Sequence, residues 1–68
     1  MKKWSDELIK LSIEYLNYDG VNVKSLNGNF GILNVITKKL YTISIFNTDI
    51  VLTFHSVEEM IEAGWAVD

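Results

Sequence analysis

The segment from 40 to 54, LYTISIFNTDIVLTF, constrains the fold more than any other part of the sequence. Two runs of β-branched and aromatic residues flank a short polar stretch, which is the pattern of an antiparallel β-hairpin. A four-residue loop places Ile43 opposite Leu52 and Tyr41 opposite Phe54, which makes one face of the hairpin apolar. Because a slip of one residue would exchange the two faces, the pattern also predicts the register.

The residues before this hairpin have the same β character. The segment 21–26, VNVKSL, alternates between apolar and polar residues, and Asn27-Gly28 after it is a strong signal for a tight hairpin turn of the primed type. The segment 32–36, ILNVI, is a further strand, but its pattern leaves open which face is inward and permits a bulge. A turn near 37–39 is needed because one strand through to the last hairpin would be too long.

The N-terminal segment SDELIKLSIEYLN predicts an amphipathic helix with Ser5 as its N-cap. Its apolar residues span an arc of roughly 200°, wider than one packing face requires. They are Trp4, Leu8, Ile9, Leu11, Ile13, Tyr15 and Leu16. Ser12 lies in the middle of this arc, where a small side chain allows close packing and its hydroxyl can bond back to the Leu8 carbonyl. The helix is therefore either deeply seated or partly covered by a partner.

The segment FHSVEEMIEAGW predicts a short second helix. Ser56 and Glu59 have the spacing of a capping box, and Gly64 stands where a helix commonly ends with a positive φ. Trp65 then follows as the apolar residue that closes such an end. His55 precedes the cap, and we interpret it as a histidine on the exposed strand face.

These elements predict an α+β fold of one domain over residues 1–68. An N-terminal helix precedes an antiparallel meander of three to four strands and a short C-terminal helix (αββββα), with both helices on one face of the sheet. The other sheet face is then uncovered in a monomer. Its residues are Leu40, Thr42, Ser44, Phe46, Val51 and Thr53.

Composition limits how such a chain is stabilised and where it works. With 68 residues and no cysteine, it has no disulfide or thiolate–metal site to support a small core. No apolar run approaches the ~20 residues of a membrane span, and charges interrupt the N-terminal segment where a secretory leader would be apolar. We therefore expect a cytoplasmic protein without membrane association.

Charge argues against direct binding of nucleic acid. The formal net charge is −3, and the chain contains no arginine. Residues 1–39 carry a net +2, whereas residues 40–68 carry −5. DNA- and RNA-binding proteins generally present a basic stripe and use arginine for phosphate and base contacts. A nucleic-acid-associated regulator remains an alternative only if Lys2, Lys3, Lys24, Lys38 and Lys39 converge on one edge.

The sequence offers no catalytic, cofactor-binding or metal-binding constellation. His55 is the only histidine, and no HExxH motif, cysteine ligand or phosphate-binding glycine loop is present. Glu58 or Glu59 could pair with His55 as acid and base, but glutamates at a helix N-terminus are explained by the helix dipole. We therefore expect a non-enzyme without cofactors.

The remaining function is protein interaction, either as a homodimer, which we favour, or as an adaptor or inhibitor that docks on a larger protein. The candidate contact residues are Trp4, Leu40, Phe46 and Val51. A small ligand-binding or enzymatic domain that uses His55 with a glutamate at a dimer interface is the alternative. Size and a bias toward Ile, Asn and Lys are similar to those of small proteins from AT-rich bacteria and their prophages.

Overall fold

The computed structural model describes residues 4–68 and confirms the α+β architecture. Seven elements follow one another along the chain. They are α1 (Asp6–Tyr15), β1 (Asn22–Ser25), β2 (Phe30–Thr37), β3 (Leu40–Ile45), β4 (Val51–Phe54), α2 (Val57–Glu62) and β5 (Trp65–Val67). The strands form one antiparallel sheet in the order β4-β3-β2-β1-β5. The molecule is a slab of 27 × 26 × 16 Å, which corresponds to one sheet and one helical layer.

The predicted register of the last hairpin is confirmed. Ile43 pairs with Leu52 and Tyr41 with Phe54, and the Ile45 amide donates to the Ile50 carbonyl at 3.1 Å. The undecided strand β2 turns Leu33, fully buried, toward the helices. Its register shifts between Val35 and Thr37, so β2 does contain the bulge that its pattern permitted.

Both helix starts also form as expected. Ser5 Oγ accepts from the Leu8 amide at 3.2 Å, and Ser56 Oγ accepts from the Glu59 amide at 3.1 Å. Within the described residues, the reciprocal bond from the Ser56 amide to the Glu59 side chain does not form. Gly64 has a φ of 94°, as a glycine that ends a helix requires.

The core lies between the helices and one face of the sheet. Leu16, the C-cap of α1, and Met60 of α2 pack against Val23, Leu33 and Ile43, all of them fully buried. Tyr41, Phe54, Val57 and Trp65 complete this cluster. Helix α1 is not deeply seated, since only Ser12 and Leu16 are buried while Leu11, Ile13 and Tyr15 are about half exposed.

Three local predictions were wrong. Trp65 does not merely close α2 but begins a fifth strand, which pairs with β1 and extends the sheet beyond the predicted meander. The Asn27-Gly28 turn is not of the primed type, because Gly28 has a φ of 87° but Asn27 does not have a positive φ. The Gly28 amide donates to the Ser25 carbonyl, which gives a three-residue loop ending in a glycine bulge. Ser12 bonds to the backbone of β5 and not to Leu8.

Candidate interaction surface

The structure separates the four candidate contact residues into three places. Phe46 and Val51 lie close together, because both are on the outer sheet face and Val51 pairs with Ser44, two residues before Phe46. Leu40 is half-buried on the same face at the other end of β3, roughly 20 Å from Phe46 at about 3.3 Å per residue. Trp4 is at the opposite edge of the sheet, beside β5.

Phe46 and Val51 belong to a larger exposed apolar patch. The Phe46 amide donates to the Phe30 carbonyl at 2.9 Å, which places these two residues on neighbouring strands of the outer face, and Ile50, which pairs with Ile45, lies at the same end of the sheet on its inner side. The four side chains are each 48–57% exposed. We call Phe30, Phe46, Ile50 and Val51 the apolar corner. Such exposure is uncommon for large apolar residues grouped at one point of a small monomer.

The sequence pattern did not identify Phe30 and Ile50 as part of this patch. Phe30 becomes a neighbour of Phe46 only through the β2–β3 pairing. Ile50 pairs with Ile45 and therefore belongs to the inner face of the hairpin. It is exposed because it stands at the end of the hairpin, where the helices no longer cover the sheet.

Hydrogen bonds within the β3–β4 loop fix the shape of the corner. Asn47 has a φ of 65°, a conformation that asparagine tolerates better than most residues. The Thr48 hydroxyl donates to the Ile45 carbonyl at 2.9 Å and accepts from the Ile50 amide at 3.1 Å. The loop therefore holds Phe46 and Ile50 in fixed positions on either side of the turn.

Trp4 has a structural contact of its own. Its indole N–H donates to the Gly64 carbonyl at 3.2 Å, and the Lys24 ammonium lies 5.6 Å from the centre of its ring, within cation–π range. Trp4 is half-buried and outside the core cluster, whereas Trp65 is 3% exposed within it. The side chain of Trp4 thus holds the N-terminal end of α1 against the β5 edge.

A second feature is a groove of about 380 Å³ at the opposite end of the sheet from the apolar corner. His55, Glu58, Lys38 and Lys39 are among the residues that line it. His55 Nδ1 lies 3.3 Å from the Lys39 carbonyl oxygen, and the Tyr41 hydroxyl donates to the Lys38 carbonyl at 3.1 Å. His55, Glu58 and both lysines are exposed, so the groove is open to water along its charged side.

The described lysines do not form one basic edge. Lys24 is opposite Phe30 at the start of β2, while Lys38 and Lys39 follow its last residue, Thr37. At about 3.3 Å per residue, the two groups are more than roughly 20 Å apart. Lys2 and Lys3 lie outside the described residues.

Residues 4–68 contain no group of three His, Asp or Glu side chains that could hold a metal ion. Within the same residues, no helix has the length and apolar character needed to cross a bilayer. No protein-family model, curated protein or solved structure matches this chain. Inferences about function therefore depend on its own surfaces.

Proposed function

We propose that this protein is a non-enzymatic interaction module and that its first partner is a second copy of the same chain. The observation that supports this proposal is the apolar corner, where four large side chains are each about half exposed. Two of them, Phe30 and Phe46, are aromatic, the residue class most enriched in protein interfaces. Covering any of the four side chains would remove apolar surface from water, which favours association.

Charge at this face supports a protein partner. Lys24 is the only ionisable side chain among the strand residues of the outer face, although charged residues make up 22% of the chain. The cores of protein–protein interfaces are depleted of charge, whereas nucleic-acid interfaces need many cations. A largely uncharged outer face is therefore typical of a protein–protein interface and not of a nucleic-acid interface.

The size of the molecule favours a second copy as that partner. A chain of this length without disulfides has little stability to spare for exposed apolar surface. Closed two-fold dimers are the commonest arrangement of identical chains.

Light scattering across a dilution series tests self-association, with a matched pair of variants. Ile50→Lys places a charge in the apolar corner and should shift the wild-type dimer to a monomer. Ile36→Lys introduces the same charge at a residue of similar exposure, 58% for Ile36 against 53% for Ile50. Ile36 lies at the end of β2 that is far from the apolar corner, so this variant should stay dimeric. A wild-type chain that stays monomeric at high micromolar concentration would refute self-association and leave the corner to a different protein.

The groove with His55 and Glu58 supports a second candidate function, binding of a small ligand. The two lysines that line the groove together with His55 favour an anionic ligand. Titration with inorganic phosphate, followed by the amide and imidazole NMR signals, tests this candidate. Saturable shifts confined to the groove and abolished by His55→Ala would support it, whereas their absence at millimolar phosphate would refute phosphate binding.

A further inference from the structure

We infer that two copies join edge to edge, through antiparallel pairing of their β4 strands, into one continuous ten-stranded sheet. This inference rests on the proposed self-association but places the contact at the β4 edge, next to Ile50 and Val51 of the apolar corner, so that Phe30 and Phe46 stay outside it. The sheet order leaves two edges, β4 and β5. These edges differ sharply in what covers them.

The β5 edge is closed by the protein itself. The bonds from the Leu26 amide to the Gly64 carbonyl and from the Asp68 amide to the Asn22 carbonyl show that Gly64 and Asp68 face β1. In an antiparallel ladder the backbone groups alternate in direction, so Val67 points outward. Its amide donates to Ser12 Oγ of α1 at 3.0 Å. A second strand cannot pair there without displacing the helix.

The β4 edge is open. Because the Ile45 amide bonds to the Ile50 carbonyl and Ile43 pairs with Leu52, the polar backbone groups of even-numbered β4 residues face β3. Those of Val51 and Thr53 point away from the sheet. Both residues are exposed, and no described element packs beyond them.

This edge also lacks the usual protection against pairing. Exposed edge strands commonly carry a lysine, a proline or a bulge, each of which disfavours a second strand. The segment from Ile50 to Phe54 has none of these and is uncharged. The bulge of this sheet lies in β2, between Val35 and Thr37, away from the open edge. The exposed β4 edge is therefore a template for another extended strand.

The direction of the backbone groups restricts the register between two β4 strands. Only residues with outward groups can exchange hydrogen bonds, so Val51 of one copy must face Val51 or Thr53 of the other, or Thr53 must face itself. Pairing Val51 with Thr53 of the second copy places Leu52 opposite its own equivalent on the two-fold axis. It also places the exposed Ile50 beside Phe54 of the second copy, on the inner face.

The residues that flank β4 select this register from the others. Asp49 comes directly before Ile50, and His55 directly after Phe54. When Val51 faces Thr53 of the second copy, each Asp49 stands opposite a His55, a carboxylate acceptor opposite an imidazole donor, twice per dimer. In the register with Val51 facing Val51, Asp49 stands opposite Thr53 of the second copy. In the register with Thr53 facing Thr53, His55 stands opposite Val51. Cross-strand pairs in which one side chain can donate a hydrogen bond and the other can accept it stabilise a ladder, and unmatched pairs do not.

Amide hydrogen exchange gives a direct test of the edge contact. The Val51 and Thr53 amides are free in the monomer and hydrogen-bonded in the dimer, so their exchange should slow by at least about tenfold as protein concentration rises through the dissociation constant. Leu52, whose amide faces β3 in either state, is the internal control. Exchange at Val51 and Thr53 that stays fast in a chain already shown to be dimeric would overturn the edge contact.

Substitutions separate the edge from the outer face. Thr53→Pro removes the outward amide while leaving the β3–β4 bonds, and should give a monomer; Thr53→Ala, its matched control, should stay dimeric. Phe46→Lys should also stay dimeric, because Phe46 lies beyond the paired segment. A dimer that survives Thr53→Pro but is lost on Phe46→Lys would refute the edge contact and keep the proposed self-association.

Charge reversal tests the register, and this test can be carried out even if Thr53→Pro does not fold. Asp49→Lys should raise the dissociation constant by about tenfold, whereas Glu62→Lys, the same charge change on α2, should alter it less than twofold. Adding His55→Asp to Asp49→Lys should restore the wild-type value. A double variant no tighter than Asp49→Lys would refute the Asp49–His55 pairing. A wild-type monomer would refute both proposals together.

Discussion

Replacing Ser12 by alanine tests how the β5 edge is held. Ser12 is fully buried within the apolar arc of α1, and its hydroxyl oxygen accepts from the Val67 amide at 3.0 Å. In Ser12→Ala, that amide loses its partner at a partly buried position. The side chain that replaces the hydroxyl is smaller by one oxygen atom, so steric strain does not contribute.

The expected loss follows from two opposing effects. A buried donor left without a partner costs about 1–3 kcal/mol. Alanine is the better helix former, which returns up to roughly 0.5 kcal/mol at a helix interior position. We therefore expect a net destabilisation of about 1–2.5 kcal/mol. Stability of roughly 3–10 kcal/mol is typical for a domain of this length, so the change should be large.

Urea unfolding measures the stability, and hydrogen exchange at the Val67 amide locates the effect. Exchange of Val67 should accelerate more than that of Leu33 in the sheet centre. Ser44→Ala is the matched control, because Ser44 is half-buried on the outer face with no recorded side-chain hydrogen bond among residues 4–68; it should change stability by less than about 0.5 kcal/mol. Equal stability of Ser12→Ala and wild type, with Val67 exchange unchanged, would refute the reasoning.

The remaining predictions concern the cap of α2 and two glycines. Ser56→Ala should cost about 0.5–2 kcal/mol, because the Glu59 amide loses its acceptor, and His55→Ala should cost much less; the reverse order in denaturant melts would contradict this interpretation. Gly28→Val should destabilise the fold by more than about 1 kcal/mol, because φ is 87° at this position, although nothing lies within 4 Å of the added Cβ. Gly28→Asn, the control, should destabilise it less. An unchanged melting temperature for the valine variant would contradict the assigned turn. Gly31→Ala should cost about 1–3 kcal/mol for a different reason, since its Cβ would stand 2.6 Å from the Ser44 carbonyl oxygen; retained stability with unshifted β2–β3 NMR signals would show that the strands separate without cost.

Local chemistry was sufficient to predict much of the fold. The hairpin from 40 to 54 has one register because only that pairing collects its apolar residues on one face, and the structure has that register. The caps at Ser5 and Ser56 depend on side chains within three residues of the amides they accept from. The prediction of Phe46 and Val51 on an exposed sheet face follows from the same alternation.

Long-range packing determined the features that the sequence pattern left open or missed. The strand β5 has three residues, too few for a period to be recognised, and it forms because β1 offers it a partner that lies 40 or more residues earlier in the chain. The apolar corner required the β2–β3 pairing to bring Phe30 beside Phe46. The inward face of β2 was likewise set by its neighbours, since apolar residues occur on both of its sides.

The sequence by itself determined the elements, their caps and the register of the last hairpin, because each depends on residues near one another along the chain. Only the tertiary structure decided which edge of the sheet is closed. The bond from Val67 to Ser12 joins residues 55 apart, and the bond from Trp4 to Gly64 joins residues 60 apart. No local period encodes such contacts. They form when α1 packs on β5, and the same packing leaves the edge of β4 uncovered.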